Sequence, residues 1–139
     1  TRMTRFMISL EEGVDLVWQA FLDMIGGEIY VKKIPSMKVT DVARVIAPDA
    51  QLDIVGIRPG EKIHEQMIGL EDSSYTYEYS DYFKILPQIN DWHETEARVK
   101  DGRRVSPDFV YSSGSNPEWM TDRQLQTWID QNASKIGMV

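Results

Sequence analysis

The spacing of hydrophobic residues near the N-terminus predicts an amphipathic helix. Apolar side chains recur every three or four positions within residues 14–25, which places them along one face of an α-helix. Ser9 and Glu12 precede this stretch with the spacing of a capping box, in which each side chain bonds the other residue's backbone N–H. Gly26 and Gly27 follow and favour the end of the helix. We therefore expect a helix between Ser9 and Gly26.

Weaker patterns of the same kind predict further helices. A stripe of apolar residues within 39–46 follows Ser36, a candidate N-cap, and precedes Pro48, which stops a helix. A shorter pattern predicts a helix over residues 61–68. The last helix is expected to begin after Thr121, which forms a second capping pair with a glutamine three positions later.

Alternating and apolar segments between these helices predict β-strands. Glu28–Lys32 and Asp53–Ile57 each lie between two predicted helices, and such alternation favours parallel strands. Ser73–Tyr79 and Tyr82–Leu86 are separated by a short turn and predict a β-hairpin. The polar stretch 88–106 predicts a long surface loop. The expected fold is a single α/β domain over residues 1–139, with short parallel strands, helices and one β-hairpin.

Composition and charge narrow the range of functions. The chain has 139 residues, of which 42% are hydrophobic and 27% charged, values that are ordinary for a globular domain. Its net charge of −7 argues against nucleic-acid and anionic-membrane binding, because both require clustered cations. The absence of cysteine fits a cytoplasmic protein. With only two histidines, we expect no metal site, and we expect His64 to hydrogen-bond within the fold.

The segment around Arg58 is the strongest candidate for a binding site. A turn between a strand and a helix is where open α/β folds place ligands, and the helix start suits an anion. Arg58 can grip a phosphate with two hydrogen bonds, Gly60 lets a ligand approach the backbone, and Glu61 can accept from hydroxyl groups. This turn could hold a phosphorylated sugar or a nucleotide. The alternative is ordinary Pro-Gly turn chemistry with Arg58 and Glu61 as a surface pair.

No pairing of a nucleophile with a general base is evident. Ser112 and Ser113 have no nearby histidine and lie in no nucleophile elbow, so we expect no catalytic residue in this chain. The two hydroxyls could donate hydrogen bonds to a phosphate or a sugar, and the alternative is turn bonding within their own loop. Arg5 could reach an anion, although an arginine near a terminus is usually solvated.

Five motifs occur in order along the chain and together resemble a known family. They are Met3-Thr4-Arg5-Phe6-Met7-Ile8, Gly27-Glu28-Ile29-Tyr30-Val31, Lys33-Ile34-Pro35-Ser36-Met37, Gly56-Ile57-Arg58-Pro59-Gly60-Glu61-Lys62 and Tyr111-Ser112-Ser113-Gly114-Ser115-Asn116-Pro117. The set resembles the C-terminal part of the inverting UDP-N-acetylglucosamine 4,6-dehydratases. These enzymes belong to the extended short-chain dehydrogenase/reductase superfamily and begin pseudaminic acid synthesis, which supplies sugars for bacterial surface glycans and flagellin.

The resemblance implies a role for each candidate residue. Arg58 and Arg5 would bind the UDP diphosphate from two sides, and Glu61 would hold the ribose hydroxyls. The other candidate residues would help to close the nucleotide pocket. They are Tyr111, Ser112 and Ser113. The implied reaction oxidises C4 of the sugar with bound NADP, eliminates water across C5 and C6, returns the hydride to C6 and inverts C5.

The resemblance also implies what this chain is within the enzyme. Residues 1–139 would be the C-terminal UDP-sugar-binding domain, and the Rossmann half, with the Gly-rich NADP loop and the catalytic residues, is absent from the sequence. We expect the chain alone to be inactive, to pair with the missing Rossmann domain, and to belong to a homo-oligomer. Two alternatives stay open, namely part of a related UDP-sugar epimerase, or an autonomous module that binds a phosphorylated ligand or a protein partner.

Overall fold

A computed structural model describes residues 2–88 and 96–133 of the chain. The chain divides into two compact units. The first contains residues 1–7, 35–65 and 113–139, and the second contains residues 8–34 and 66–112. Each unit combines helices with antiparallel strands, so the expected α/β class is confirmed.

The bounds of the elements are as follows. The helices of the described residues are α1 (Leu10–Asp23), α2 (Val39–Ile46), α3 (Glu96–Val99) and α4 (Asp122–Asn132), with a 3₁₀ helix at Leu70–Tyr75. The strands are β1 (Thr4–Phe6), β2 (Ile29–Lys32), β3 (Ser36–Lys38), β4 (Gln66–Ile68), β5 (Thr76–Glu78), β6 (Tyr82–Ile85), β7 (Arg103–Arg104) and β8 (Tyr111–Ser112).

The first unit is built on the packing of α2 and α4 against a two-stranded ladder. Strand β1 pairs antiparallel with β3, so that Arg5 lies opposite Met37. Met37, Leu125 and Ile129 form the buried core of the unit. The partly buried residues packed against that core are Met7, Val42, Val45, Met120 and Trp128. Truncating a core residue such as Leu125 to alanine costs about 2–5 kcal/mol, so this small cluster holds the strand ladder and both helices together.

The two longer capped helices begin where the sequence predicts. In α1 the capping box of Ser9 and Glu12 is formed, and in α4 that of Thr121 and Gln124. For α2 the predicted N-cap at Ser36 is wrong, because the N-cap is Lys38 without a side-chain cap bond. Ser36 is instead part of a strand, where its backbone N–H donates to the carbonyl of Glu118 and its hydroxyl accepts from Asn116.

The second unit contains a four-stranded sheet in the order β2-β6-β5-β7. The predicted hairpin is confirmed, with β5 and β6 paired antiparallel so that Thr76 lies opposite Ile85. Its first strand is shorter than predicted, because residues 73–75 belong to the 3₁₀ helix. Strand β6 pairs on both edges, and all of its residues are buried. Helix α1 belongs to the same unit, yet none of its residues is buried: Leu10 is 80% and Leu22 is 89% exposed. No helix among the described residues is long and apolar enough to cross a membrane.

The prediction of parallel strands is wrong. Every ladder between named strands of the described residues runs antiparallel, and the parallel contact of Ser36 with Trp119 is an isolated bridge. The predicted parallel pair needed a strand at residues 28–32 and another at residues 53–57. The second of these segments does not form a strand. Gly56 within them has a positive φ of +86°, which departs from extended backbone. Strand β2 therefore pairs with β6 of the later hairpin.

The predicted helix over residues 61–68 is also wrong. Residues 61–65 are irregular, and Gln66–Ile68 form strand β4. The carbonyls of Ile63 and Glu65 accept hydrogen bonds from the backbone N–H groups of Thr4 and Ser113, at 2.9 and 2.8 Å. These carbonyls are thus committed to distant segments and not to a helical ladder. Of the predicted loop, residues 89–95 lie outside the described residues, while α3 and β7 give its later part regular structure.

Candidate functional site

The turn at Arg58 closes on itself through two hydrogen bonds. The backbone N–H of Glu61 donates to the carbonyl oxygen of Arg58 at 3.1 Å, and the backbone N–H of Arg58 donates to Oε2 of Glu61 at 3.2 Å. Pro59 and Gly60 occupy the central positions, and Gly60 has a φ of +80°. This is the backbone of a type II turn, which needs glycine at its third position. The turn is therefore rigidified by its own residues.

The guanidinium group of Arg58 is open to a ligand. Arg58 is exposed, and among the described residues its side chain has neither an ion pair nor a hydrogen bond. The carboxylate of Glu61 is bound to the backbone of Arg58 and makes no salt bridge with its guanidinium group. The predicted surface pair of Arg58 with Glu61 is thus replaced by a turn that leaves the cation available. The predicted helix dipole does not contribute, since no helix follows the turn.

Arg5 lies on β1 and reaches the segment that follows this turn. Its guanidinium donates to the carbonyls of Thr4 at 2.7 Å and Ile63 at 3.3 Å, and its Nε lies 3.4 Å from a carboxylate oxygen of Glu65. The side chain is 29% exposed. Arg5 is therefore held in place by residues 63–65, only a few positions beyond Arg58–Glu61 in the chain.

Ser113 is buried and belongs to a chain of hydrogen bonds that the sequence did not predict. Its hydroxyl accepts from the backbone N–H of Glu65 at 2.9 Å and lies 2.7 Å from Oγ1 of Thr4. The same Oγ1 lies 2.7 Å from Nδ1 of His64. Ser113 is 0% and Thr4 is 3% exposed. The expectation that His64 bonds within the fold is confirmed, and Ser113 makes its contacts inside the protein.

Tyr111 and Ser112 lie in the second unit. The hydroxyl of Tyr111 donates to the carbonyl of Ile34 at 3.1 Å and accepts from the N–H of Ile34 at 2.9 Å. Its ring packs 5.0 Å from that of Phe83, and the residue is buried. Ser112 is half-buried and pairs with Gln66 in the β4–β8 ladder. The structure thus gives Tyr111 a firm internal contact and places Arg5, Arg58, Glu61 and Ser113 together in the first unit.

A second cluster missed by the sequence reasoning lies in the second unit around Asp23. Its carboxylate accepts from the hydroxyl of Tyr30 at 2.6 Å, from Nζ of Lys84 at 2.5 Å and from Lys100. Lys84 is 1% exposed and also donates to the carbonyl of Arg98 at 2.8 Å. A lysine inside a strand of otherwise apolar and aromatic residues was the signal that could have revealed this cluster.

The Asp23 cluster changes the pKa values of its members. Burial by itself raises the pKa of Asp23, but the hydrogen bonds from Lys100, Lys84 and Tyr30 together outweigh it and lower the pKa to about 2. Burial, and then the hydrogen bond to Asp23, raises the pKa of Tyr30. The cluster therefore contains a firmly ionised carboxylate and a neutral phenol. Neither this cluster nor any other part of the described structure brings together three acidic or histidine side chains, as a metal site would require.

The amino-acid sequence of the chain is similar to one protein family and to several curated proteins. A family described as "Polysaccharide biosynthesis protein" matches residues 1–87. The chain is 48% identical over 131 residues to a UDP-N-acetylglucosamine 4,6-dehydratase (inverting) of Campylobacter jejuni, and the alignment covers 90% of this chain and 39% of that protein. It is 31% identical over 108 residues to a UDP-glucose 4-epimerase of Rickettsia massiliae, covering 75% of this chain and 32% of that protein.

A solved structure confirms the fold. The chain superposes on the X-ray structure of Pen from Bacillus thuringiensis with a TM-score of 0.75 at 23% identity. This match covers 95% of the chain and 40% of Pen. The chain likewise spans about two fifths of the length of the Campylobacter jejuni dehydratase. The resemblance drawn from the five motifs is confirmed by the identity over nearly the whole chain.

Proposed function

The chain belongs to the polysaccharide biosynthesis protein family, and from this premise we propose that it is the nucleotide-sugar-binding part of an inverting UDP-N-acetylglucosamine 4,6-dehydratase. The substrate is UDP-N-acetylglucosamine, and the product is a UDP-4-keto-6-deoxy sugar with inverted C5. The proposal is supported by the 48% identity to a relative of that name. The epimerase relative is more distant, at 31%. The product would enter the synthesis of pseudaminic acid for surface glycans.

The observation that carries this proposal is the turn of Arg58–Glu61, whose guanidinium group has no hydrogen bond or ion pair to any residue that the structure describes. An exposed arginine can form paired hydrogen bonds with a phosphate, and each charged bond contributes about 1.5–3 kcal/mol. We assign Arg58 to the diphosphate. Arg5 approaches the same anion from β1 by exchanging its contact with Glu65 for one with phosphate. Glu61 can accept from the ribose hydroxyls with the carboxylate lone pairs that its bond to the Arg58 backbone leaves free.

The buried candidates take supporting roles in this proposal. Ser113 and Tyr111 make their hydrogen bonds within the fold, so we propose that they support the nucleotide-binding residues without contacting the ligand themselves. Ser112, which is half-buried in the β4–β8 ladder, is proposed as a further nucleotide-binding residue. No catalytic residue is assigned to the chain, and the reacting groups are proposed to lie in the rest of the enzyme.

The proposal includes NADP as the cofactor of the enzyme, which supplies the hydride acceptor and donor when it is bound. The described residues do not themselves fit it, because a dinucleotide diphosphate needs a Gly-rich turn at an open helix N-terminus. The N-termini of α1 and α4 are closed by capping boxes. Helix α2 has no side-chain cap, but residues 34–38 before it contain no glycine and so form no Gly-rich turn. We therefore assign NADP to a cofactor-binding domain that is this chain's partner within the enzyme.

The proposal also covers assembly and location. Helix α1 presents a groove of about 540 Å³ lined by Val14, Trp18, Phe21 and their neighbours, and exposed apolar surface of this kind marks an interface. We propose a homo-oligomeric enzyme that acts in the cytoplasm. Light scattering of the purified full-length gene product measures its oligomeric state, and a monomer would contradict this part of the proposal.

The reaction itself provides the test of function. The full-length gene product is incubated with UDP-N-acetylglucosamine, with and without added NADP, and the products are analysed by NMR and mass spectrometry. We expect loss of one water and a 4-keto-6-deoxy sugar with inverted C5. Conversion to a UDP-sugar that differs only at C4 would support an epimerase instead. Failure to bind any UDP-sugar in calorimetry would favour an autonomous interaction module. The 139-residue chain alone is expected to give no product.

A further inference from the structure

Three separate segments of the first unit meet at the buried hydroxyl of Thr4. Strand β1 contributes Thr4, the irregular segment after the Arg58 turn contributes His64, and the loop after β8 contributes Ser113. Backbone bonds join the same segments, from Thr4 N–H to Ile63 and from Ser113 N–H to Glu65. Each segment carries or adjoins a residue that the proposed function uses. The hydroxyl of Thr4 is therefore the point at which their relative positions are set.

The direction of the hydrogen bonds follows from counting protons. The Ser113 hydroxyl accepts from the N–H of Glu65, and its own proton has one neighbouring acceptor among the described residues, Oγ1 of Thr4. The Thr4 hydroxyl then donates its proton to Nδ1 of His64. The reverse direction would leave the Ser113 proton buried without an acceptor, which costs about 1–3 kcal/mol. In this direction His64 accepts at Nδ1 and carries its proton on Nε2.

The position of the imidazole is set from a second side by Gly114. A Cβ atom at position 114 would lie 2.7 Å from both Cγ and Nδ1 of His64. These atoms are at the base of the ring, so the ring could not avoid the methyl group without leaving Thr4. Gly114 is not one of the described glycines with positive φ, so an alanine there would act on His64 without backbone strain. His64 is exposed, but the contact with Gly114 and the hydrogen bond to Thr4 limit the position of its imidazole from two sides.

We propose that His64, as the Nε2–H tautomer bonded through Thr4 to Ser113, is a positioning residue that holds the segments of Arg5, Arg58 and Ser113 in their ligand-binding arrangement. The inference rests on the proposed function, because the ligand concerned is the UDP-sugar. His64 acts through the segments that it joins and takes no part in the chemistry. Its loss is expected to weaken substrate binding and to leave the chemical step nearly unchanged.

Paired substitutions at His64 test this role in the full-length enzyme. His64→Leu removes the acceptor, whereas Oδ1 in His64→Asn occupies a position close to that of Nδ1 and can accept from Thr4. We expect His64→Leu to raise KM for UDP-N-acetylglucosamine about tenfold with kcat within about twofold. His64→Asn should restore KM to within about threefold of the wild type. An unchanged KM in His64→Leu, or equal losses in both variants, would overturn the proposal.

Two further measurements keep the test decisive if His64→Leu does not fold. Gly114→Ala should raise KM in the same way by displacing the ring, and a wild-type KM in this variant would contradict the proposal. The ¹⁵N spectrum of histidine-labelled wild-type enzyme, with the His64 signal assigned from its absence in His64→Asn, reports the tautomer directly. We expect Nε2 to be protonated, and a protonated Nδ1 would overturn the assigned direction of the hydrogen bonds.

The failure of this inference and the failure of the proposed function give different results. A wild-type enzyme that neither binds nor converts UDP-N-acetylglucosamine refutes the proposed function, and the tautomer measurement then still decides the hydrogen-bond direction. A wild-type enzyme that converts the sugar while His64→Leu keeps its KM refutes the inference alone.

Discussion

Lys84 and Arg58 are both cations, yet the two units use them in opposite ways. In the second unit Lys84 is 1% exposed, and its Nζ lies 2.5 Å from Asp23. In the first unit Arg58 is exposed, and its guanidinium group has no partner among the described residues. A buried charge must be paired because its desolvation is expensive, whereas an exposed charge remains hydrated and is free to bind an anion. The difference indicates that Lys84 serves the fold and Arg58 serves a ligand.

Substitution of Asp23 is expected to have the largest effect on stability. Asp23→Asn removes the charge that compensates buried Lys84, and breaking such a pair costs about 3–5 kcal/mol. The free energy of unfolding, measured with urea, should fall by this amount. The double variant Asp23→Asn/Lys84→Met should recover part of the loss, because no unpaired charge then remains. A loss below about 1 kcal/mol in the single variant would contradict the structural role of the pair.

Substitution of Arg58 tests whether this exposed cation binds the ligand without stabilising the fold. Arg58→Ala should raise KM for UDP-N-acetylglucosamine in the full-length enzyme by about 30- to 150-fold, corresponding to the loss of about 2–3 kcal/mol from a charged hydrogen bond. Its urea midpoint should not change, since the exposed side chain makes no hydrogen bond or ion pair with the described residues. Arg58→Lys keeps the charge but not the paired geometry, so its KM should be intermediate. Wild-type kinetics in Arg58→Ala would contradict the assignment.

Acid unfolding should reveal the Asp23 cluster through its pKa. The pKa of Asp23 is about 2 in the folded protein and 3.8 in the unfolded chain. Because the folded value is the lower one, the stabilisation is fully present above pH 3.8 and is lost as the pH falls toward 2. The loss amounts to about 2 kcal/mol. Denaturation curves between pH 5 and 2 should show a smaller decline for Asp23→Asn/Lys84→Met than for the wild type, and equal slopes would contradict this origin.

The parts of the fold that the sequence predicts well depend on residues close together in the chain. The capping boxes of α1 and α4 need only two side chains three positions apart, and both are formed. The hairpin of β5 and β6 likewise joins neighbouring segments. Such local contacts have few competing arrangements, so a pattern in the sequence is enough to indicate them.

The parts that the sequence does not predict depend on distant partners. The hydrogen bond from Thr4 to Ser113 joins residues 109 positions apart, and Asp23 and Lys84 are 61 positions apart. The apolar run at 53–57 has the composition of a strand, but it finds no partner in the described structure. Strand formation requires a second strand, and no single segment specifies which one. The site was therefore predictable as a set of motifs, while its buried support was not.

The smallest expected effect concerns the shape of the Arg58 turn. Gly60 has a φ of +80°, and a Cβ atom added to it would meet no atom within 4 Å, so Gly60→Ala tests backbone strain alone. We expect it to cost about 1–2 kcal/mol, because L-residues disfavour this conformation. Gly13→Ala is the matched control: it also meets no atom within 4 Å but lies in helix α1, where alanine should stabilise by about 0.5–1 kcal/mol. Urea unfolding of both variants measures the two free energies.

If the turn relaxes to avoid the strain, the cost of Gly60→Ala appears in binding instead of stability. KM for the UDP-sugar would then rise while the urea midpoint stays near that of the wild type, because the altered turn misplaces the Arg58 guanidinium group. A variant with both an unchanged midpoint and an unchanged KM would show that the positive φ of Gly60 is unnecessary. Arg58 would then differ from Lys84 only in being exposed, and the conformation of its turn would not be needed for ligand binding.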